Sequence, residues 1–416
     1  MSKMTITDLD VKNKRVLMRV DFNVPIKDGT VGDDTRIQAA LPSINYVLDN
    51  GGSLILMSHL GRPKGKVNPD FSLKVVAEYL DGLIDNKVSF VSNCRGPEVR
   101  AAAQALQPGE VLLLENLRFQ PEEKGSVKLP ADASDEEKQA ARAVMTERQD
   151  VFARELADLA DLYVCDAFGT AHRAHVSMAV VTRYFDQCAA GFLLEKEIAY
   201  LGSALESPEK PFVAILGGAK ISGKIDVITN LMEKVDSILI GGGMAYTFYA
   251  AKGLPIGDSL LEDEKVELAG QILKQAEEVG VEFLLPVDNV VADAFDANAN
   301  TKLVGEDGIE DGWMALDIGP ETVKLFSETI ASARTVVWNG PMGCFEMTPF
   351  ADGTMGIVKA VADADCVSII GGGDSVSAVK KSGFADRMTH VSTGGGASLE
   401  FMEGKELPGI AALTDK

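Results

Sequence analysis

Short runs of aliphatic and β-branched residues recur along the chain, separated by longer stretches in which apolar positions return at helical spacing. The runs fall at 15–20, 53–58, 87–91, 111–114 and 162–166, and then at 212–216, 237–240, 282–285, 335–338 and 367–370. Strand, helix and strand in repetition predict parallel sheets covered on both faces. Ten such strands are too many for one comfortable doubly wound sheet, and the helical pattern of 191–206 sits between two sets of five. Pro208 and Pro211 stop that helix before the next strand. The expected fold is α/β: two doubly wound parallel-sheet (Rossmann-like) domains, 1–190 and 207–395, joined by a hinge helix at 191–206.

The polar stretch 121–150 breaks the rhythm. Ser134 and Glu137 have the spacing of a capping box, and Ala141, Met145, Phe152 and Leu156 give the helix that follows an apolar side. The stretch reads as a helical insertion with a solvated face and no function of its own.

With 416 residues, 46% hydrophobic and 25% charged, the chain has the balance of a soluble globular protein of two or three domains. Its formal charge of −22 opposes any general affinity for nucleic acid or anionic lipid. The first twenty residues lack a signal-peptide core, and no apolar run approaches the ~20 residues that would cross a bilayer. A cytoplasmic protein without a membrane partner is expected. Cys94, Cys165, Cys188, Cys344 and Cys366 are widely spaced with no CxxC, so they read as small core residues in a reducing compartment.

Ligands of open parallel sheets collect beyond the carboxyl ends of the strands. In the first half those ends carry Arg19, Asp21 and Asn23, with Arg36 shortly after, then His59, Gly61 and Arg62, then Arg118, then His172, Arg173 and His175. Such a density of Arg and His in a very acidic chain suits a small, multiply charged anion. His172 and His175 lack the companion ligands of a metal site. In the second half the ends carry Gly217, Gly218, Lys220, Gly223 and Lys224, then Gly241, Gly242 and Gly243, then Gly371, Gly372, Gly373, Asp374 and Ser375. The first of these misses the P-loop pattern because Ile225 stands where Ser or Thr would hold magnesium, and no GxGxxG opens a helix. Glycines that admit phosphate to backbone N–H groups, two lysines and an acid able to approach magnesium still point to a nucleotide. Phosphoryl transfer between a compact anion on one half and a nucleotide on the other is the economical reading, with a hinge to expel water.

The segments RVDFNVP (19–25), SHLGRP (58–63), DAFGTAHRAH (166–175), LGGAK (216–220), WNGP (338–341), GGGD (371–374) and STGGGAS (392–398) stand in the order of the phosphoglycerate kinase family, which the chain resembles over nearly its whole length. The resemblance implies reversible, magnesium-dependent transfer of the acyl phosphate of 1,3-bisphosphoglycerate to ADP, giving 3-phosphoglycerate and ATP by domain closure. It implies a cytoplasmic monomer of glycolysis and gluconeogenesis, and a C-terminal segment, 396–416, that returns to the first domain. Carried over, the acid is held by Arg19, Asp21, Asn23, Arg36, His59, Leu60, Gly61, Arg62, Arg118 and Arg173. The nucleotide is held by Gly217, Lys220, Lys224, Gly241, Gly242, Gly243, Gly312, Asn339, Pro341, Glu346, Gly372, Gly373, Asp374 and Ser375. Asp374 would meet Mg2+, and Arg36, Lys220, Gly373 and Gly396 form the implied catalytic set. Cys165, Ser375 and the length of 121–150 depart from the family pattern. A kinase of another small acid and a silent nucleotide-binding scaffold are the competing readings.

Overall fold

The computed structural model describes residues 3–130 and 132–416. Its contacts divide the chain into two units, Met1–Ile198 with Glu406–Lys416, and Ala199–Lys405. All ten expected runs form strands, and those at the sheet centres are sequestered on both faces: Ser53–Met57 and Phe212–Leu216 are buried at every position. That is why they read as continuous apolar runs rather than alternating ones.

The sheet of the first unit runs Val88–Val91, Val111–Leu114, Ser53–Met57, Arg15–Val20, Leu162–Asp166, Cys188–Ala190, all parallel. The second runs Glu282–Leu284, Ser237–Ile240, Phe212–Leu216, Thr335–Asn339, Val367–Gly371, His390–Val391, again all parallel. In each unit the chain starts near the middle, builds one side, then crosses back to build the other. The crevice where the two directions part opens after Val20 and Asp166 in the first unit, and after Leu216 and Asn339 in the second.

Each sheet has six strands rather than five. The additional edge strands, Cys188–Ala190 and His390–Val391, are three and two residues long and take their conformation from the neighbouring backbone rather than from a pattern of their own. The second unit also carries an antiparallel sheet, ordered Thr301–Gly305, Asp288–Ala292, Met314–Ile318.

The helix Phe192–Glu206 contains the division between the units, which falls after Ile198. Asp166 caps its start: Oδ1 accepts from the N–H groups of Leu193 (2.9 Å) and Leu194 (3.2 Å). Gly191 is required there because a Cβ would collide with that carboxyl. The return to the first unit begins at Glu406 rather than at 396, since Gly395–Met402 stays with the second, where Asn230 Nδ2 donates to Met402 O at 2.7 Å. Thr414 then pairs with the edge strand through Cys188 O (3.0 Å) and Cys188 N–H (3.0 Å).

The insertion holds a short helix, Pro121–Lys124, and then a long one, Asp135–Ala157, opened by the Ser134–Glu137 capping box. Phe152 and Leu156 are buried, whereas Ala141 and Met145 are half-buried, so only the C-terminal turns reach the core. Cys94, Cys165 and Cys188 are core residues, but Cys344 and Cys366 are half-buried, a correction to their expected burial.

Candidate active site

In the first unit the site is built on the end of Arg15–Val20. Arg19 is fully buried, and each of its three nitrogens donates once: Nε to Ser177 Oγ at 2.9 Å, Nη2 to His59 Nδ1 at 3.0 Å, and Nη1 to the carbonyl of Val20. Because Arg19 can only donate, His59 Nδ1 must accept, and the imidazole proton sits on Nε2. Burial, followed by the charges of Arg19 and Arg118, pushes His59 well below the usual histidine range, so the ring is neutral at pH 7.

Asp21 and Asn23 hold Arg36. Its Nη1 lies 3.3 Å from Asp21 Oδ2 and donates to Asn23 O at 2.9 Å. Both anchors use the same nitrogen, which leaves Nη2 and Nε for an anion. Asn23 Oδ1 also accepts from Gly61 N–H at 2.8 Å, tying the first strand end to the second. Gly61 has φ +59°, and a Cβ there would strike the ring of Phe71. Arg118 Nη1 donates to Gly61 O at 2.9 Å, while its Nε is buried with no partner. Burial lowers the Arg118 guanidinium to about 10, which still leaves it charged at neutral pH. Arg62 and Arg173 lie exposed at the margin, near enough for their charges to act on Arg118 and His175. Leu60 turns its side chain into the core and offers only backbone, its carbonyl accepting from Asn116 Nδ2 at 2.7 Å.

Sequence reasoning missed the acids beneath this cluster. Glu122 and Glu123, assigned to a solvated insertion, are both buried. Glu123 bonds to Ser177, and Glu122 Oε1 accepts from Arg148 Nη2 at 2.6 Å. The one available signal was Pro121 directly after Arg118-Phe119-Gln120, which fixes a helix start at the site's edge.

In the second unit the glycines divide into two kinds. Gly217, Gly242 and Gly340 serve packing: Gly217 N–H donates to Asn339 O and Gly242 N–H to Met342 O, and a Cβ on any of the three would run into neighbouring backbone. Gly241 N–H donates to Leu216 O, and the Pro341 carbonyl accepts from Gly218 N–H. At Gly218, Gly223, Gly312 and Gly373 a Cβ would meet nothing within 4 Å, so these backbones face open space where a ligand can approach. Lys220 and Asp374 are exposed beside them, as are Glu346 and Gly396.

Lys224 Nζ donates to Asn339 Oδ1, whose amide Nδ2 is buried without a partner, a donor left over for an anion. Burial lowers Lys224 to about 8, against the opposing pull of Glu403 and Asp374. Gly373, Asp374 and Ser375 open the helix Gly373–Ser382, so their N–H groups have no intrahelical acceptor. The Ser375 hydroxyl is buried and accepts from Gly340 N–H at 2.6 Å, which ties the helix start to the Gly340 turn.

A cation cluster on one sheet edge and an open glycine edge with lysines on the other recur in a known order of segments. The family model described as phosphoglycerate kinase matches residues 6–405. The chain belongs to the phosphoglycerate kinase family. The phosphoglycerate kinase of Moorella thermoacetica is 56% identical over 417 residues, covering 100% of both chains. That of Chloroherpeton thalassium is 55% identical over 418 residues, again with 100% of both. The solved structure of phosphoglycerate kinase from Coxiella burnetii matches with a TM-score of 0.85 at 39% identity, covering 99% of this chain and 98% of that one. As a member of the phosphoglycerate kinase family the chain is a kinase, a phosphotransferase with a carboxyl acceptor (EC 2.7.2.3) and an enzyme of glycolysis.

Proposed function

We propose that the first unit holds 1,3-bisphosphoglycerate or 3-phosphoglycerate, that the second holds MgADP or MgATP, and that domain closure brings the two in line for reversible phosphoryl transfer. The observation that carries this reading is the cluster of donors at the crevice of the first sheet: Arg36 keeps Nη2 and Nε, His59 keeps the Nε2 proton, and Arg118 keeps a buried Nε without a partner. Asp21 and Asn23 take the hydroxyl and carboxyl end of the glycerate; Arg19, His59, Arg62, Arg118 and Arg173 surround the distal phosphate. Lys224, Asn339 and the open helix start at Gly373 take nucleotide phosphates, with Glu346 toward the ribose and Gly312 toward the base.

In the ATP-consuming direction the nucleophile is a carboxylate, already ionised at neutral pH because its pKa lies near ~4, so no general base is needed. His59, neutral with its proton on Nε2, acts as a hydrogen-bond donor. The remaining task is alignment and neutralisation of charge on a loose transition state. Arg36, held by one nitrogen, and Lys220, exposed on its loop, supply that charge from separate units. A single hard carboxylate such as Asp374 at a helix start fits magnesium, which takes its other ligands from phosphate and water. When bound, the ion neutralises nucleotide charge. We further propose a cytoplasmic monomer without nucleic-acid or membrane partners, in keeping with the charge of −22 and with the absence, among the described residues, of a helix long and apolar enough to cross a membrane.

The test is a coupled assay with MgATP and 3-phosphoglycerate, with acetate as the control acid. Turnover with 3-phosphoglycerate alone is expected, and Arg36→Ala should lower kcat by roughly 10²–10³-fold, the cost of one transition-state donor, with MgATP affinity unchanged. Near-normal turnover in that variant would remove Arg36 from the chemistry, and equal turnover with acetate would favour the other small-acid kinase.

A further inference from the structure

A buried run of hydrogen bonds joins the short helix Pro121–Lys124 to the centre of the cation cluster. Glu123 is 0% exposed. Its Oε1 accepts from the Ser177 hydroxyl at 2.7 Å and its Oε2 from the Ser177 N–H at 3.1 Å. The same hydroxyl accepts from Arg19 Nε–H at 2.9 Å, and Arg19 Nη2 donates to His59 Nδ1 at 3.0 Å. Every direction in this run is fixed. A guanidinium only donates, so the serine proton must point at Glu123, and both oxygens of Glu123 must accept. The run therefore requires a carboxylate at its far end. Burial raises the Glu123 carboxyl, and the charge of Arg19 with the two bonds from Ser177 pulls it back. His175 Nδ1, 3.7 Å from Glu123 Oε1, contributes no charge at neutral pH, since burial beside Arg118 and Arg19 lowers it to about 3.

We propose that Glu123 is a positioning residue for the acid substrate: through Ser177 it fixes the plane of the Arg19 guanidinium, and through Arg19 the tautomer of His59. This rests on the reading that Arg19 and His59 bind the three-carbon acid. Glutamine at 123 has nearly the same shape but turns one acceptor into a donor. Turned one way, the amide meets the Ser177 N–H donor against donor; turned the other, it donates to the serine hydroxyl, whose own proton then has no acceptor, and the guanidinium loses its fixed plane. Alanine at 177 removes the bridge outright with little change of volume.

The experiment is titration calorimetry of 3-phosphoglycerate and, separately, of MgATP on the full chain, with Glu123→Gln, Ser177→Ala, the double variant and Arg19→Ala. Each single variant should weaken 3-phosphoglycerate binding about tenfold, the weight of one charge-assisted hydrogen bond, and leave MgATP within about twofold. The double variant should be no worse than the weaker single one, because both break the same connection. In turnover, KM for the acid should rise while kcat at saturation holds within about threefold. Folded Ser177→Ala protein with unchanged acid affinity would overturn the inference, as would equal losses for both ligands, and that variant decides the matter if Glu123→Gln does not fold. Unchanged acid binding in Arg19→Ala would instead overturn the assignment of the site itself, and this inference with it.

Discussion

Lys224 shows how a single site residue is balanced. It stands half-buried between Asn339 and the charges of Glu403 and Asp374, and its ammonium is lowered to about 8. Phosphate binding needs the charged form, so MgATP affinity should be level below that value and fall as pH rises through about 8. Calorimetry of MgATP from pH 7 to 9 checks this, and Lys224→Arg, which keeps its charge throughout, should flatten the curve. A slope unchanged in Lys224→Arg would assign the titration to another group. Asp374→Ala removes the magnesium carboxylate proposed here and should weaken MgATP at least about tenfold, as expected for one charge-assisted contact, while 3-phosphoglycerate binding stays level. Unchanged MgATP affinity would end the assignment of Asp374.

At the scale of elements, the helix Asp135–Ala157 reaches the short helix under the site through Arg148, on the Glu122 carboxylate, and Gln149, whose Nε2 donates to the Glu122 carbonyl at 3.0 Å. Arg148 bonds Glu122 Oε1 from both Nε (3.0 Å) and Nη2 (2.6 Å), and without it that buried carboxylate keeps only Arg95 at 3.8 Å. Arg148→Ala should cost about 1 kcal/mol in urea unfolding, a buried-pair loss discounted because the arginine itself is half exposed. Lys138→Ala, which breaks only an exposed pair with Asp135, should stay within about 0.5 kcal/mol. Equal effects would show that Glu122 draws nothing from the helix. The capping box of this helix was legible because its partners lie three residues apart, and eight of the ten strands were legible because burial on both faces writes a continuous apolar run, the partly buried edge strands Val88–Val91 and Glu282–Leu284 excepted. The burial of Glu122 and Glu123 was not, because their partners are 26 and 54 residues away in the chain. The cation cluster was legible as residue types at strand ends. The direction of each hydrogen bond was not, and neither was the division of the glycines into packing and ligand-facing sets, since both depend on which backbones meet.

Across the whole molecule, buried titratable groups shape the dependence of stability on pH, Asp166, Asp317, His59 and His175 among them. Asp166 in the first unit and Asp317 in the second are pushed up by burial, to about 7 and about 8 from 3.8. Between the ordinary histidine value of 6.5 and about 8, the folded chain keeps protons that the unfolded chain has released, so stability falls as pH rises. Below 6.5 the unfolded chain also protonates His59 and His175, two protons that offset the two held in the fold by Asp166 and Asp317, so stability levels off and falls only as pH drops through the ordinary Asp value of 3.8. Urea midpoints should therefore be nearly level on the acid side of 6.5, down to the Asp range, and decline toward pH 8. Asp166→Asn should flatten part of that decline, because it removes the titrating carboxyl while keeping an oxygen to cap Leu193 and Leu194. A decline of full size in that variant would place the proton elsewhere.

The pairing of Thr414 with Met4 and with Cys188 has a consequence for biosynthesis. Residues 3–198 leave the ribosome first, yet the edge of their sheet lacks its flanking segment until 406–416 follow, with the entire second unit made in between. The half of the enzyme that is translated first is thus completed last. A nascent chain paused before Glu406 has Ala190 covered by Met4 but leaves Cys188 on that edge unpaired, the kind of surface that holding chaperones shield.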